Sequence, residues 1–415
     1  MPEATAASLD SLSAATAATV HRDYIAEVRA AFTPENRAYA HTRVTLDFID
    51  PFFTLAICAL LLFTGLSGRM RDLAHRVSSR RYVRVLVYFA LYLAVTFVVS
   101  LPLAWYRGYL LEHQYGLSNE TLGSWFLDEL KIAGFNFVFL GVVPLLALAL
   151  LAIEKRPRTW WLWLGFGSIP TIALTVLLSP LVFEPAFNKF TPLKDEVLKQ
   201  QILDLAAKAG IPSRKVLEVD KSAQTKKYNA YVSGFGASQR IVLWDTTLKG
   251  MQHDEILYVM GHEMGHYRLG HIWKGIAFGC GLAFVLCFLA GGMTRSALSM
   301  FGEQWRVREP YDVGTLPLYG AVLTILLLIG QPMIVSFSRM QEHEADAFGL
   351  EVTQLNDAAA RAFMKLGAQN RNDPDPPAFV RAMLYDHPTV IERVRFALEY
   401  HPWTEGKPNR YFKGR

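Results

Sequence analysis

The segment VMGHEMGHYRLGH, residues 259–271, places two histidines and a glutamate where they can act on one metal ion. On a helix, the step from His262 to His266 turns about 400°, so both imidazoles share one face and can bind the same zinc ion. Glu263 lies about 100° round from His262, where it can take a proton from zinc-bound water. The spacing predicts a zinc hydrolase. A solvated helix with coincidental histidines is the competing interpretation, because the motif is short.

The third histidine of the segment, His271, lies five residues beyond His266. If the helix continued, it would sit about 500° further round and off the ligand face. We therefore assign it no role in the chemistry and expect it where the helix meets the lipid headgroups.

A catalytic zinc site needs a third protein ligand and an open position, and the segment SRMQEHEADAFGL, 338–350, offers one. Glu342 is predicted to bind the zinc. Asp346, one turn later, is predicted to accept a hydrogen bond from the second nitrogen of a ligand histidine. His343 and Glu344 fall on other faces of the same helix and are predicted to stay outside the site. The alternative is a charged, solvated helix start.

The segment DHPTVIERV, 386–394, combines a helix start with two cations. Thr389 and Glu392 form a T-x-x-E capping box, which predicts that a helix begins here. His387 lies just before that helix and Arg393 one turn inside it. Either could donate a hydrogen bond to an oxyanion that forms on a scissile carbonyl. A helix cap with a surface arginine explains the segment equally well.

The segment NAYVSGFG, which begins at Asn229, has the composition of a strand followed by a glycine-rich turn. A strand at the edge of a sheet can bind an extended peptide through backbone pairing. Asn229, Tyr231 and Gly234 are predicted to bind substrate, with Asn229 holding its backbone. An ordinary hairpin is the alternative.

Long apolar runs must position these residues, because the chain is 52% hydrophobic and only 19% charged. A membrane-spanning helix needs about 20 apolar residues, and aromatic residues at several ends of the runs fit an interfacial belt. Buried helices of a soluble protein are the alternative, which the near absence of internal charge disfavours. The six predicted spans are 51–68, 85–106, 132–153, 159–183, 275–294 and 313–338.

The predicted fold is mainly α, a multi-span helical membrane protein with a zincin-like α+β metalloprotease domain that carries a small β-sheet. Strands are predicted at 215–219 and within 229–244, where a hairpin turns at GFGAS. The predicted regions are an N-terminal tail with an amphipathic helix, four spans, a protease segment with the HExxH helix, two further spans, and a second protease segment. They cover 1–47, 48–183, 184–271, 272–338 and 339–415.

Charge gives two further indications. The net charge of +5 leaves no basic stripe, so nucleic acid is not expected as a partner. Arginine and lysine cluster in the short loops 69–84 and 154–158. The positive-inside rule would place those loops in the cytoplasm and the protease segments on the opposite side of the membrane.

Together these stretches resemble the integral-membrane zinc metallopeptidases of the type I CAAX prenyl endopeptidase family. The order matches through NAYVSGF, RIVLWDTTL, GHEMGHYRLGH, SRMQEHEADAFG and HPTVIERV. The likeness extends to WYRGYLLEHQYGLSNETLG at 105–123 and EPAFNKFTPL at 184–193. It covers most of the chain beyond residue 45. Shorter heat-shock membrane proteases share the zinc motifs but lack equivalents of these two upstream stretches.

The resemblance implies a barrel of about six to seven membrane helices around an internal chamber that holds one zinc ion per chain. The roles that it implies are zinc binding by His262, His266 and Glu342, general-base catalysis by Glu263, support of the ligands by Asp346, contact with substrate or transition state by His387 and Arg393, and positioning of the substrate backbone by Asn229.

The eukaryotic family members remove the last three residues of a prenylated CAAX carboxyl terminus, and they keep the catalytic region in the cytosol. The present chain lacks the first of their seven spans and nearly all of their insert before the zinc helix. Both departures are typical of a bacterial protein. The resemblance therefore implies a protease of a bacterial inner membrane with a cytoplasmic catalytic side. Its substrate, a peptide or protein that is lipidated or embedded in the bilayer, stays open because bacteria make few or no prenylated CAAX proteins.

The sequence as a whole predicts a zinc-dependent membrane endopeptidase that hydrolyses extended peptide segments. One alternative keeps the chemistry and makes the chain a quality-control protease for damaged membrane proteins. A transporter or channel would need ionisable residues at mid-membrane depth, and the six runs have almost none. A zinc-binding scaffold without catalysis is disfavoured by the presence of Glu263.

Overall fold

The fold is described by a computed structural model of residues 22–212, 215–234 and 239–413. Within this part of the chain, long helices surround one small sheet. The helices are α1 (Tyr24–Ala31), α2 (Pro34–Phe63), α3 (Leu66–Val77), α4 (Arg81–Gln114), α5 (Leu122–Lys155), α6 (Trp160–Phe187), α7 (Glu196–Lys208), α8 (Asp245–Gly250), α9 (His253–Arg268), α10 (His271–Trp305), α11 (Leu316–Thr353), α12 (Asn356–Gln369), α13 (Ala378–Leu384) and α14 (Val390–Glu399). The strands are β1 (Phe190–Pro192), β2 (Val216–Val219), β3 (Ala230–Ser233) and β4 (Arg240–Trp244).

Six of the described helices, α2, α4, α5, α6, α10 and α11, are long and apolar enough to cross a membrane. This confirms the number of spans predicted from the sequence. Most residues in each apolar stretch are not buried within the protein, and apolar side chains exposed over such a length require lipid around them. The first span ends at Phe63, short of the predicted 68, because Gly65 takes a left-handed backbone conformation (φ 68°) that stops the helix.

Two of these helices run through predicted region boundaries. Helix α2 continues through residue 47, and the 38-residue helix α11 continues through residue 338. Residues 1–21 of the predicted N-terminal tail lie outside the described residues. The unbroken course of α11 has a consequence for the site, because one rigid element carries the chain from the membrane to Glu342 and Asp346.

The sheet has the strand order β1-β2-β4-β3, with β2 and β4 parallel and the other pairs antiparallel. Strands β2, β3 and β4 confirm the strands predicted from the sequence, whereas β1 was not predicted because it is only three residues long. Residues 235–238 of the predicted hairpin turn lie outside the described residues. Strand β3 forms one edge of the sheet, and it packs against α9.

Helices α9 and α11 pack closely because glycines lie at their crossing. A β-carbon added at Gly349 would lie 2.9 Å from the backbone nitrogen of His262, and one at Gly261 would lie 2.8 Å from the Thr353 side chain. A β-carbon at Gly265 would meet Phe348 at 3.1 Å. Only residues without a side chain allow this approach. The glycines therefore set the distance between the helix with the HExxH motif and the helix with Glu342.

We expect Gly349→Ala to destabilise the protein by about 1–3 kcal/mol, because the new methyl group meets backbone that cannot move away. The same shift should weaken metal binding by spreading α9 and α11. Thermal unfolding in detergent and metal titration measure the two effects. Gly330→Ala is the matched control, because no atom lies within 4 Å of a β-carbon at that position on the same helix. Equal unfolding temperatures for the two variants would contradict the proposed contact.

Candidate metal centre

Helix α9 presents its two histidines from a buried and well-anchored position. At its start, the Glu255 carboxylate accepts the Gln252 N–H at 2.7 Å and pairs with Arg361 and Lys365 on α12. Its buried residues, Ile256 and Met260 among them, pack into the main core of the protease region. With this face fixed, the Nε2 atoms of His262 and His266 lie 3.2 Å apart. The i, i+4 spacing thus places both imidazoles at one point, as the sequence indicated.

Helix α11 brings Glu342 to the same point. One carboxylate oxygen lies 3.3 Å from Nε2 of His262 and the other lies 3.3 Å from Nε2 of His266. The Glu342 side chain is 9% exposed. The three candidate ligand atoms all lie within 4.8 Å of one another. The tertiary fold therefore joins residues that are about eighty positions apart in the sequence.

These three side chains fit a metal ion. Oε2 of Glu342 is buried and makes no hydrogen bond of good geometry among the described residues, although Nε2 atoms of His262 and His387 lie 3.3 and 3.1 Å away; such a state is costly for a carboxylate oxygen. Two imidazole nitrogens and one carboxylate form a ligand set that suits a divalent transition metal. A cation among them would satisfy this carboxylate oxygen and the lone pairs of both rings.

Asp346 and Arg393 support the first of these ligands. Oδ1 of Asp346 lies 2.7 Å from Nδ1 of His262, and the Arg393 guanidinium donates to both carboxylate oxygens at 2.6 and 2.9 Å. Arg393 also stacks on the Phe363 ring at 4.1 Å. Burial by itself would lower the pKa of His262, but the carboxylates of Asp346 and Glu342 raise it to about 10. The pocket therefore favours positive charge, which a metal ion supplies.

We expect Asp346→Asn to lower metal affinity by about 10–100-fold, the usual cost of losing a partner that orients a ligand histidine. The asparagine removes the nearest counter-charge of Arg393 and leaves only Glu342 at 4.0 Å, so the unfolding temperature should also fall. Glu351→Gln is the control, because Glu351 is a buried carboxylate on the same helix that bonds Tyr400 and the C-terminal backbone instead. That variant should lose stability and keep metal affinity. Unchanged metal affinity in Asp346→Asn would contradict the assignment.

Glu263 and His262 face a cavity of about 660 Å³. Its wall also includes Asn229 and His387. Burial raises the pKa of the Glu263 carboxyl above its ordinary value, while the nearby imidazoles oppose that change. A carboxylate with a raised pKa is a better proton acceptor than an exposed one. The cavity is large enough for several residues of an extended peptide beside the candidate base.

His387 reaches the site from the segment that precedes α14. Its Nε2 lies 3.1 Å from Oε2 of Glu342, and its Nδ1 lies 2.8 Å from the Asp386 carboxylate. The predicted capping box is present, with Thr389 and Glu392 bonding each other's backbone N–H groups. Because the His387 side chain is about half exposed (48%), its ring can meet a substrate in the cavity. Arg393 differs, since two of its nitrogens are already bonded to Asp346.

The three predicted substrate-binding residues are placed differently by the structure. The Asn229 backbone N–H donates to Thr247, and its side-chain oxygen accepts the Ala230 N–H at 2.8 Å, which fixes the start of β3 at the cavity wall. Tyr231 donates its hydroxyl to Glu184 at 2.7 Å and does not line the cavity. Gly234 is buried with φ 84° and does not line it either. Ala230 lines the cavity, so alternation along β3 turns the adjacent Tyr231 to the other face, and Gly234 has no side chain and follows the strand.

His271 and Glu344, which the sequence placed outside the chemistry, lie directly behind His266. Nδ1 of His271 is 2.9 Å from Nδ1 of His266, and its Nε2 is 3.0 Å from the Glu344 carboxylate. His271 was predicted where the helix meets the lipid headgroups; it does begin the span α10, but it is 4% exposed, so its ring faces the protein interior and not the headgroups. Helix α9 ends at Arg268, and Gly270 (φ 69°) redirects the chain. Because the sequence prediction extended the helical period through this break, it turned His271 away from His266.

Residues 192–401 match the profile of Peptidase family M48, and residues 21–189 match that of the CAAX prenyl protease N-terminal region, described as five membrane helices. The chain belongs to peptidase family M48. Its two matched segments meet at β1, where the chain passes from helix α6 to the sheet.

Relatives match along most of this M48 protease. An uncharacterized metalloprotease of Bacillus subtilis, YhfN, is 31% identical over 368 residues, which is 86% of this chain and 84% of the relative. The CAAX prenyl protease 1 homolog of Arabidopsis thaliana is 28% identical over 87% of this chain and 86% of its own length. The crystal structure of S. mikatae Ste24p superposes with a TM-score of 0.77 at 26% identity and covers 89% of each chain.

The family assignment agrees with the site and with the architecture. This M48 protein is a membrane metalloprotease that resembles the CAAX prenyl proteases in sequence and in fold. The described membrane helices make it a multi-pass membrane protein. A metal cofactor follows from the family, and the cluster of His262, His266 and Glu342 is the candidate place for it.

Proposed function

We propose that this M48 protease is a zinc-dependent endopeptidase that cuts extended peptide segments beside the membrane. The observation that supports the proposal most directly is the convergence of His262, His266 and the buried Glu342 carboxylate on one point next to Glu263. Two histidines and one glutamate around a remaining open position are typical of catalytic zinc.

In the proposed mechanism, zinc bound at this centre supplies a Lewis acid that polarises the scissile carbonyl and acidifies water. Glu263 takes the proton from the attacking water and then passes it to the leaving amine nitrogen. His387 donates from Nε2 toward the carbonyl oxygen as negative charge develops there. Asp346 and Arg393 keep the His262 ring in position throughout.

The edge strand β3 is the proposed binding surface for the substrate backbone. The Asn229 carbonyl bonds Trp244 on β4, so alternation directs the carbonyl of Ala230 and both backbone groups of Val232 to the open edge. An extended peptide can pair with these groups while its scissile bond faces α9. Backbone pairing accepts many sequences, so specificity then depends on the rest of the cavity.

We expect His387→Ala to lower kcat by about 10²–10³-fold, the usual cost of one oxyanion donor, while KM changes little. Steady-state kinetics on a fluorogenic peptide separate the two constants. His401→Ala is the matched control, since that histidine lies beyond the C-terminal end of α14 and pairs only weakly with Glu405, at 3.8 Å. A rise in KM with kcat unchanged would instead assign His387 to ground-state binding.

The substrate is proposed to be a chain that reaches the protease from the membrane, because the site lies where α10 begins and α11 nears its end. Several relatives are named CAAX prenyl proteases, which makes a lipidated carboxyl-terminal segment the first class to test. The purified protein in detergent should be given a farnesylated peptide, the same peptide without the lipid, and an unfolded membrane protein. Preference for the farnesylated peptide supports the proposal, and cleavage of the unfolded protein alone would favour quality control.

We further propose that the catalytic side faces the cytoplasm of a bacterial inner membrane, as in the family that the sequence resembles. The arginine-rich loops predict the opposite sidedness, but long loops and folded domains follow the positive-inside rule poorly. A reporter fused after the last residue shows in cells on which side of the membrane the carboxyl terminus lies. An extracytoplasmic carboxyl terminus would contradict this orientation.

A further inference from the structure

Behind the candidate ligand His266, three side chains form a continuous line of hydrogen bonds. His271 lies 2.9 Å from His266, the Glu344 carboxylate lies 3.0 Å from His271, and Lys274 donates to the same carboxylate oxygen at 2.8 Å. The His266 and His271 rings stand nearly perpendicular, at 77°, with centroids 4.9 Å apart. This line is absent from the predicted site, and the proposed mechanism makes no use of it.

Two helices and one turn build the arrangement. Gly270 takes a left-handed conformation at the junction of α9 and α10, so α10 starts with His271 turned back toward α9. Glu344 projects from α11 two residues beyond Glu342, on another face of that helix, and bonds His271 from the side opposite His266. The His271 side chain is only 3% exposed. Burying an imidazole is costly unless its nitrogens are hydrogen-bonded, and both nitrogens of His271 have a partner here.

The direction of each hydrogen bond follows from the chemistry of the groups. For Nε2 of His266 to offer its lone pair to a metal, the proton of the neutral ring must sit on Nδ1. That N–H then donates to Nδ1 of His271, whose own proton sits on Nε2. This second N–H donates to Glu344, which as a carboxylate can only accept. Every donor meets an acceptor, and the carboxylate at the far end selects the tautomer of His266 that binds metal.

We propose that His271, with Glu344 behind it, is a positioning residue that holds His266 in its metal-binding tautomer and orientation. The inference rests on the proposed zinc site. It means that the two ligand histidines are supported in different ways. His262 meets the Asp346 carboxylate directly, whereas His266 meets a carboxylate through an intervening imidazole. His271 touches neither substrate nor metal in this arrangement and acts only through His266.

The test measures zinc affinity by competition with a chromogenic chelator, using the full-length protein in detergent. His271→Phe keeps an aromatic ring but removes both nitrogens, and we expect its zinc Kd to rise about 10–100-fold. His271→Asn should recover part of that loss, because its side-chain oxygen can accept the His266 N–H near the former Nδ1 position. Glu344→Gln should weaken binding less, and adding it to His271→Phe should cost little more, because the two residues act in one line.

Controls separate positioning from packing. His343→Phe replaces a neighbouring histidine whose ring packs on Phe396 at 4.4 Å, and its zinc Kd should equal that of the wild type. A packing role for His271 would lower the unfolding temperature in the presence of chelator and leave the zinc-dependent rise in that temperature unchanged. A positioning role shrinks the zinc-dependent rise itself.

The outcomes are distinguishable. If the wild type binds no zinc, the proposed function fails. If the wild type binds zinc and His271→Phe binds it equally well, only this inference is overturned. Should His271→Phe fail to fold, zinc affinity is measured in His271→Asn and Glu344→Gln instead. Wild-type zinc affinity in both variants then overturns the positioning role of His271.

Discussion

We expect the Glu263→Gln protein to keep its metal and lose its activity. The glutamine has the same shape but cannot accept a proton, so hydrolysis should fall by about 10²–10⁴-fold or more, the range attributed to a positioned general base. Glu263 lies in the cavity wall and is not one of the three candidate ligands. Metal content per chain should therefore match the wild type, as measured by atomic spectroscopy beside a peptide-cleavage assay.

The control for this variant is Glu303→Gln. Glu303 lies near the opposite end of α10 and its side chain is 89% exposed, so the substitution should change neither activity nor metal content. Substantial peptide cleavage by Glu263→Gln would remove Glu263 from the role of general base. Loss of the metal from that variant would instead indicate that Glu263 helps to hold it.

The second large effect is expected from Glu342→Gln, which should lose metal and activity together. Glu342 supplies the carboxylate that lies 3.3 Å from each imidazole. Loss of an outer partner alone costs about 10–100-fold in affinity, and loss of a ligand should cost more. Chelator treatment of the wild type should reproduce the inactive state, and added zinc should restore it.

The two variants differ in their response to excess zinc. High zinc concentration should restore part of the activity of Glu342→Gln by mass action, because both histidines remain. It should restore none in Glu263→Gln, whose metal site is already filled. Metal content and activity that stay at wild-type levels in Glu342→Gln would contradict the assignment of this glutamate as a ligand.

Local spacing was enough to predict the individual parts of the site. His262 and His266 are brought together by helix geometry alone, and the order Glu342, Asp346 on one helix face follows from the same period. The capping box at Thr389 is equally local. The membrane spans follow from the length of apolar runs. Each of these features depends on residues within a few turns of one another, so a linear pattern records them.

The support behind His266 could not be found this way. His271 follows a left-handed glycine that ends one helix and starts another, and its partner Glu344 lies on a third helix. A periodicity that assumes one continuous helix places His271 on the wrong side. Gly270 was the available signal, since a glycine close after the last periodic residue marks a helix end.

The sequence alone determined the chemical groups, their local spacing and the membrane character of this protein, because side-chain type and helical period are properties of short segments. Tertiary structure decided which of those groups meet. The close approach of α9 and α11 at Gly349 joins Glu342 to the two histidines. The turn at Gly270 sets His271 behind His266, and the alternation of β3 leaves Tyr231 facing Glu184. These contacts link segments far apart in the chain, where packing and backbone direction decide the outcome and no local pattern records it.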